Sequence, residues 1–189
     1  DRKTLALVPP VPQGAPPEWT RLENFRCGSC PLPAATHIHC PLALHICGIV
    51  DFLNEYRSYQ EVEVTVETAE RRYFKKTNLQ EGASSLLGIY LVSCGCPILS
   101  KLRPMVRYHL PFATLEETCY RAASMYLLAQ HFAAEAGQEP DLAMKKLPGL
   151  YDEIAALNRE ICDRLYRINA QEAVFESLIH LDCFATSVG

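Results

Sequence analysis

Cys27-Gly28-Ser29-Cys30 sets two thiols two residues apart, a step whose intervening turn can fold both sulfurs toward one metal ion. Cys40 follows, just ahead of a predicted helix whose N-terminal donors favour a thiolate, and Cys96 falls where another predicted helix ends. Cys30, Cys40 and Cys96 each precede a proline, which keeps the chain beyond the sulfur out of helical geometry or at a helix's first turn. Cys-Pro steps of this kind occur around structural zinc and around iron–sulfur clusters. The expectation is a metal centre made from Cys27, Cys30, Cys40 and Cys96, holding zinc or, as the alternative, an iron–sulfur cluster. Zinc closed by four thiolates would be structural, whereas a cluster could sense redox state or carry electrons. His37, His39 and Cys94 stand as reserve ligands, with His37 the better placed because adjacent side chains such as His39 and Cys40 point apart. Two competing readings are small buried thiols at chance spacing and a redox dithiol at Cys27 and Cys30 or at Cys94 and Cys96. Cys47, Cys119, Cys162 and Cys183 lie within predicted helices and read as core filling.

A second constellation is basic. Between Ala83 and Leu115 the fixed charges are Lys101, Arg103 and Arg107, with His109 beside them. Arg103, Arg107 and His109 could hold an anionic ligand by charge and by the planar donors of arginine, helped by the helix start at Thr114. Glu116 and Glu117 compete as internal ion-pair partners. Catalysis is harder to assemble: His109 with Glu116 or Glu117 would be a base and its orienter, and Cys94 or Cys96 a nucleophile, but nothing in the sequence makes them meet. No glycine-rich phosphate loop, dinucleotide fingerprint, serine elbow or paired-histidine protease signature is present.

Composition narrows the class. A chain of 189 residues with 49% hydrophobic and 21% charged residues has the make-up of one globular domain with its own core. A formal charge of -4 gives no general pull on phosphate backbones, so nucleic acid is not an expected partner. The row Arg71, Arg72, Lys75 and Lys76 is matched by Glu61, Glu63, Glu67 and Glu70, as on a solvated hairpin. No apolar run approaches the roughly 20 residues that span a bilayer, and Leu5 to Val8 is too short for a signal peptide, although the chain opens on Asp1. Nine cysteines cannot all pair within the chain, which favours a reducing, cytoplasmic setting.

The elements that must position these groups follow from periodicity. Residues 1–24 read as a proline-rich lead-in whose end is anchored by Trp19 and Leu22, and residues 25–189 as a single globular domain. After an irregular cysteine- and histidine-rich loop over 25–41, a stripe of Leu42, Ile46, Ile49, Val50, Leu53 and Tyr56 predicts a helix. Alternation of Val62, Val64 and Val66 with polar residues predicts a strand, and 72–77 an antiparallel return. Further helices are predicted over about 80–92 and about 114–135, the latter opened by a capping box of Thr114 and Glu117. The chain ends in a helical hairpin over about 150–186, with Asn169 and Glu172 as the second cap. The fold class is α+β and predominantly helical: about five helices around one β-hairpin, with cysteine-rich loops.

Cys30-Pro31-Leu32, Cys40-Pro41, the stretch from Gln80 to Pro97 with Ala83-Ser84-Ser85-Leu86-Leu87-Gly88, and Arg103-Pro104-Met105 through His109-Leu110-Pro111 resemble a family of uncharacterised bacterial proteins. The resemblance covers roughly residues 27–135 and implies a recurring domain without implying an activity. Three functional expectations stand: a metal-binding domain with a structural, regulatory or redox-sensing role; an enzyme or binding protein using loop 101–109 for an anionic ligand; or a module whose C-terminal helical hairpin meets a protein partner or a second copy. The last predicts a contiguous exposed apolar patch on residues 150–185.

Overall fold

The computed structural model describes residues 14–188. The greater part of the proline-rich lead-in thus lies outside the described residues. Its end does reach the core: Glu18–Thr20 form a 3-10 turn, Leu22 is fully buried and Trp19 packs against the core partly exposed.

Helix α1 (Pro41–Leu53) begins at the proline, whose missing N–H costs nothing at a first turn. It buries Leu42, Ile46, Ile49, Val50 and Leu53, the stripe that its 3.6-residue period places on one face. Strands β1 (Glu61–Glu67) and β2 (Arg72–Asn78) form one antiparallel hairpin with Val64 opposite Lys75 and Glu63 opposite Lys76. Cross-strand neighbours pair by charge on the solvent face, Lys76 with Glu63 at 3.2 Å and Arg72 with Glu67 at 3.1 Å. The other face turns Val62 and Val64 onto helix α2 (Leu79–Ser93), where Gly82 lets the strand approach: a Cβ there would lie 2.8 Å from Val64 Cγ2. No loop separates β2 from α2. Asn78 ends the strand and its Oδ1 accepts from the Glu81 backbone N–H at 3.0 Å, capping the helix.

Among the described residues there are six helices, one more than expected. A 3-10 turn (Leu99–Leu102) and the short helix α3 (Arg103–Arg107) occupy what reads in sequence as a loop. Pro104 tolerates this because it stands in the first turn of α3. Helix α4 (Leu115–Glu135) starts with both halves of the capping box: Thr114 Oγ1 accepts from the Glu117 N–H at 3.2 Å, and Glu117 Oε2 accepts from the Thr114 N–H at 2.8 Å. Helices α5 (Leu147–Arg167) and α6 (Glu172–Val188) pack against each other, and α6 also packs on α2. Leu157, Ile161, Leu165, Val174 and Leu178 are essentially solvent-free at this seam. Each such side chain stabilises the fold by about 1.5–3 kcal/mol through burial.

The second expected cap is replaced by different contacts. Asn169 adopts φ of 54°, the left-handed conformation that closes a helix, and follows α5 as its terminator. Glu172 reaches instead to Ser58, accepting from its backbone N–H at 3.3 Å and from its hydroxyl, and so ties the start of α6 to the chain after α1. The expectation of cysteine-rich loops is also corrected. Cys47, Cys119, Cys162 and Cys183 lie in helices, while Cys40 and Cys94 occupy helix caps. Among the described residues no helix is long and apolar enough to cross a membrane.

Candidate functional site

The four cysteines expected to bind metal are drawn toward one end of α1 and α2, but not into a ligand set. Cys40, Cys94 and Cys96 are buried, Cys27 and Cys30 half-buried, and all nine cysteines are free thiols. Cys40 is near enough to Cys27, Cys94 and Cys96 to perturb their ionisation, and Cys30 near enough to perturb Cys96. Yet among the described residues no group of three or more His, Cys, Asp or Glu could hold a metal ion. The metal-binding reading is therefore overturned, for zinc and for an iron–sulfur cluster alike.

The local chemistry explains how these groups are occupied instead. Burial, and then the neighbouring Glu160 carboxylate, push the Cys27 thiol up to about 12, while Glu160 Oε1 accepts from the Gly28 N–H at 2.9 Å. The Cys94 thiol donates to Leu91 O at 2.8 Å and accepts from the Cys96 N–H at 3.3 Å. Burial lifts it likewise to about 12. Protonated thiols engaged with carboxylate and backbone are packing groups. The reserve histidines are engaged too: His39 Nδ1 lies 2.8 Å from Thr20 Oγ1 and His37 Nδ1 lies 3.0 Å from Thr36 Oγ1.

The pocket with converging polar groups lies on the other side of α2. Its volume is about 350 Å3, and its walls come from β2, α2, the 3-10 turn, α3, the 108–114 connection, α4, α5 and α6. Most of the lining is apolar, with Leu91, Val92, Leu99, Ile154 and Phe184 among the wall residues, and Gly88 opens the α2 side. Polar groups enter from several elements, among them the mutually paired Lys75 and Glu81, 3.0 Å apart. Ser84 and Ser85 interrupt the apolar face of α2; Ser84 Oγ lies 3.2 Å from His180 Nδ1 of α6, and Ser85 Oγ lies 3.4 Å from His109 Nε2. Arg121 enters from α4.

Arg121 also holds the connection in place. Its Nη2 donates to Met105 O at 2.7 Å and to Tyr108 O at 2.9 Å, bracing the end of α3 from the neighbouring helix. Phe112 takes φ of 59°, unusual for a bulky residue, and its N–H donates to Ser85 Oγ at 3.4 Å. With Ser85 accepting from Phe112, its own proton is available to His109 Nε2, which suits the tautomer protonated at Nδ1. Burial, and then the positive charge of Arg121, hold His109 down to about 4, so the imidazole is neutral at ordinary pH. A neutral ring beside a guanidinium, linked to serine by a long hydrogen bond, can recognise a polar group but is a weak base.

Of the basic residues singled out in sequence, His109 lines this pocket, whereas Arg103 and Arg107 do not. Lys101 pairs with Glu153 at 2.5 Å, and the Arg107 guanidinium lies 5.9 Å from the centre of the Tyr108 ring. Arg121, Ser85 and His180 are the residues that sequence reasoning missed. The signals for them were faint: a lone cation beside the Ala122 and Tyr126 stripe of α4, and two serines within an apolar helix.

A second cavity of about 610 Å3 lies between α1, the hairpin and the opposite side of α2. Ser85, His109 and Phe112 line both spaces and so form part of the wall between them. His45 borders the second cavity with its Nε2 buried and unpartnered, and burial lowers its pKa.

The chain belongs to a family described as a domain of unknown function (DUF6901), whose model matches residues 1–189. No curated protein and no solved structure matches it.

Proposed function

We propose that this member of a family of unknown function is a binding protein for a small amphipathic molecule. The ligand has an apolar body of about a dozen heavy atoms and one head group bearing acceptor oxygens. The observation that carries the reading is the apolar pocket of about 350 Å3 in which Ser85, His109 and Arg121 converge. Such a space is at the small end of ligand pockets and holds roughly a dozen water volumes. Its apolar walls favour a hydrocarbon or aromatic body, and Arg121 with the Ser85 and His109 pair favours a carboxylate or carbonyl over an amine. Neutral His109 argues for recognition over proton transfer.

The test is calorimetric titration of the whole chain with decanoate, decanol and decylamine. The reading expects decanoate to bind at least about tenfold more tightly than decylamine, a difference of about 1.4 kcal/mol. A Gly88→Leu variant that keeps the native circular dichroism should abolish that binding, because a Cβ at Gly88 meets Leu181 Cδ2 at an ordinary 3.6 Å and the longer side chain would extend into the pocket that Gly88 lines. Equal binding of the three probes, or decanoate binding unchanged by Gly88→Leu, would sink the proposal.

A further inference from the structure

Among the described residues, helix α4 is the one long helix whose face is left largely uncovered. Of its 21 residues only Ala122 and Tyr126 are buried, and it packs on α6 and the short α3. Outward it carries two apolar rows, Tyr120 with Leu127 and Leu128 with Phe132, separated by Ser124 and His131. Tyr120 is 74% exposed, Phe132 58% and Leu128 56%. No Asp, Glu, Lys or Arg occurs from Ala122 to Ala134. This face, and not the C-terminal hairpin, is where the exposed large apolar side chains gather; on residues 150–185 only Tyr166 and Ile179 are exposed large hydrophobics.

We propose that this face of α4 is the interface of a homodimer, two copies of α4 packing antiparallel about a two-fold axis near Leu127 and Leu128. Three observations choose a second copy over other occupants. The first is the absence of fixed charge along roughly 20 Å of helix, so the surface meets itself with no like charges opposed. From Ala122 to Ala134 a cationic or anionic partner would find no Asp, Glu, Lys or Arg to pair with, and an anionic lipid surface would need lysines or arginines that this stretch lacks. The second is area. Two aromatic rings and two leucines at these exposures amount to on the order of 500 Å2 per copy, and an isologous contact uses that patch twice, reaching about the 1,000 Å2 at which specific interfaces begin. The third is the placing of charge at the ends of the helix. A parallel pair would set Glu116 and Glu117 against their own copies. The antiparallel pair sets Tyr120 opposite Glu135, whose carboxylate is exposed, so each hydroxyl can donate to the carboxylate across the axis.

The experiment is sedimentation equilibrium of the full chain from about 1 to about 100 μM, with Leu128→Glu and Leu128→Lys made singly and then mixed. The native chain should dimerise in that range. Each single variant should weaken self-association at least tenfold, and the equimolar mixture should recover it, because the two-fold axis brings opposite charges together. Leu128 is more than half exposed, so both variants should keep the native circular dichroism; if either does not, Phe132→Gln serves in its place and should weaken the dimer likewise. A native chain that stays monomeric at the highest concentration, a dimer indifferent to these changes, or α4-dependent flotation with neutral or anionic vesicles would each overturn the proposal.

Discussion

His109 ties the stability of the fold to pH in a way that can be measured. The ring is free to protonate at about 6.5 in the unfolded chain but is held down to about 4 in the folded one, first by burial and then by Arg121. Protons therefore favour the unfolded chain. The stability associated with neutral His109 is fully present above the unfolded value and is lost as the pH falls through the folded one. Full titration of both states corresponds to about 3 kcal/mol, and between pH 7 and pH 5 the loss is about 2 kcal/mol. The assay is urea unfolding at intervals of pH from about 7 to about 5, with His109→Gln as the reference, since glutamine keeps a polar group near Ser85 but takes up no proton. The native chain should lose about 2 kcal/mol more than the variant across that interval. Parallel slopes for the two proteins would refute the reasoning, as would a His109 resonance that titrates near its ordinary value.

Two further outcomes follow from local packing. Gly82→Ala should destabilise by about 1–3 kcal/mol in chemical unfolding, because the new methyl meets Val64 at 2.8 Å; a gain of about 1 kcal/mol, the ordinary helical preference of alanine over glycine, would show that the hairpin yields freely. In timed alkylation read by mass spectrometry, exposed Cys183 should react first, whereas Cys27 and Cys94, each pushed up to about 12, should react only as the chain unfolds; early modification of Cys27 would contradict the packing described.

The elements were legible where one local rule dominates. The alternating valines of β1, the stripe of α1 and the capping box at Thr114 depend on neighbours a few residues away, and each appears where its period or spacing puts it. Asn169 and Glu172 have the spacing of a cap, but Ser58, more than a hundred residues earlier, takes the glutamate. The cysteines failed for a related reason. Spacing says that Cys27 and Cys30 are able to face one ion, but it is silent on Glu160, whose carboxylate occupies Gly28 and the Cys27 thiol from α5. The pocket could not be read at all from periodicity, because Ser85, His109 and Arg121 belong to separate elements and meet only once α2, α4 and the 108–114 connection have packed.

The continuous passage from β2 into α2 has a mechanical consequence. With Asn78 serving at once as strand end and helix cap, no hinge lies between the hairpin and a helix that walls both cavities. Hairpin and helix are joined like the two arms of a bent lever. Seven residues of strand span about 23 Å, so each degree by which α2 and the hairpin turned together would carry the turn at Thr68 through about 0.4 Å.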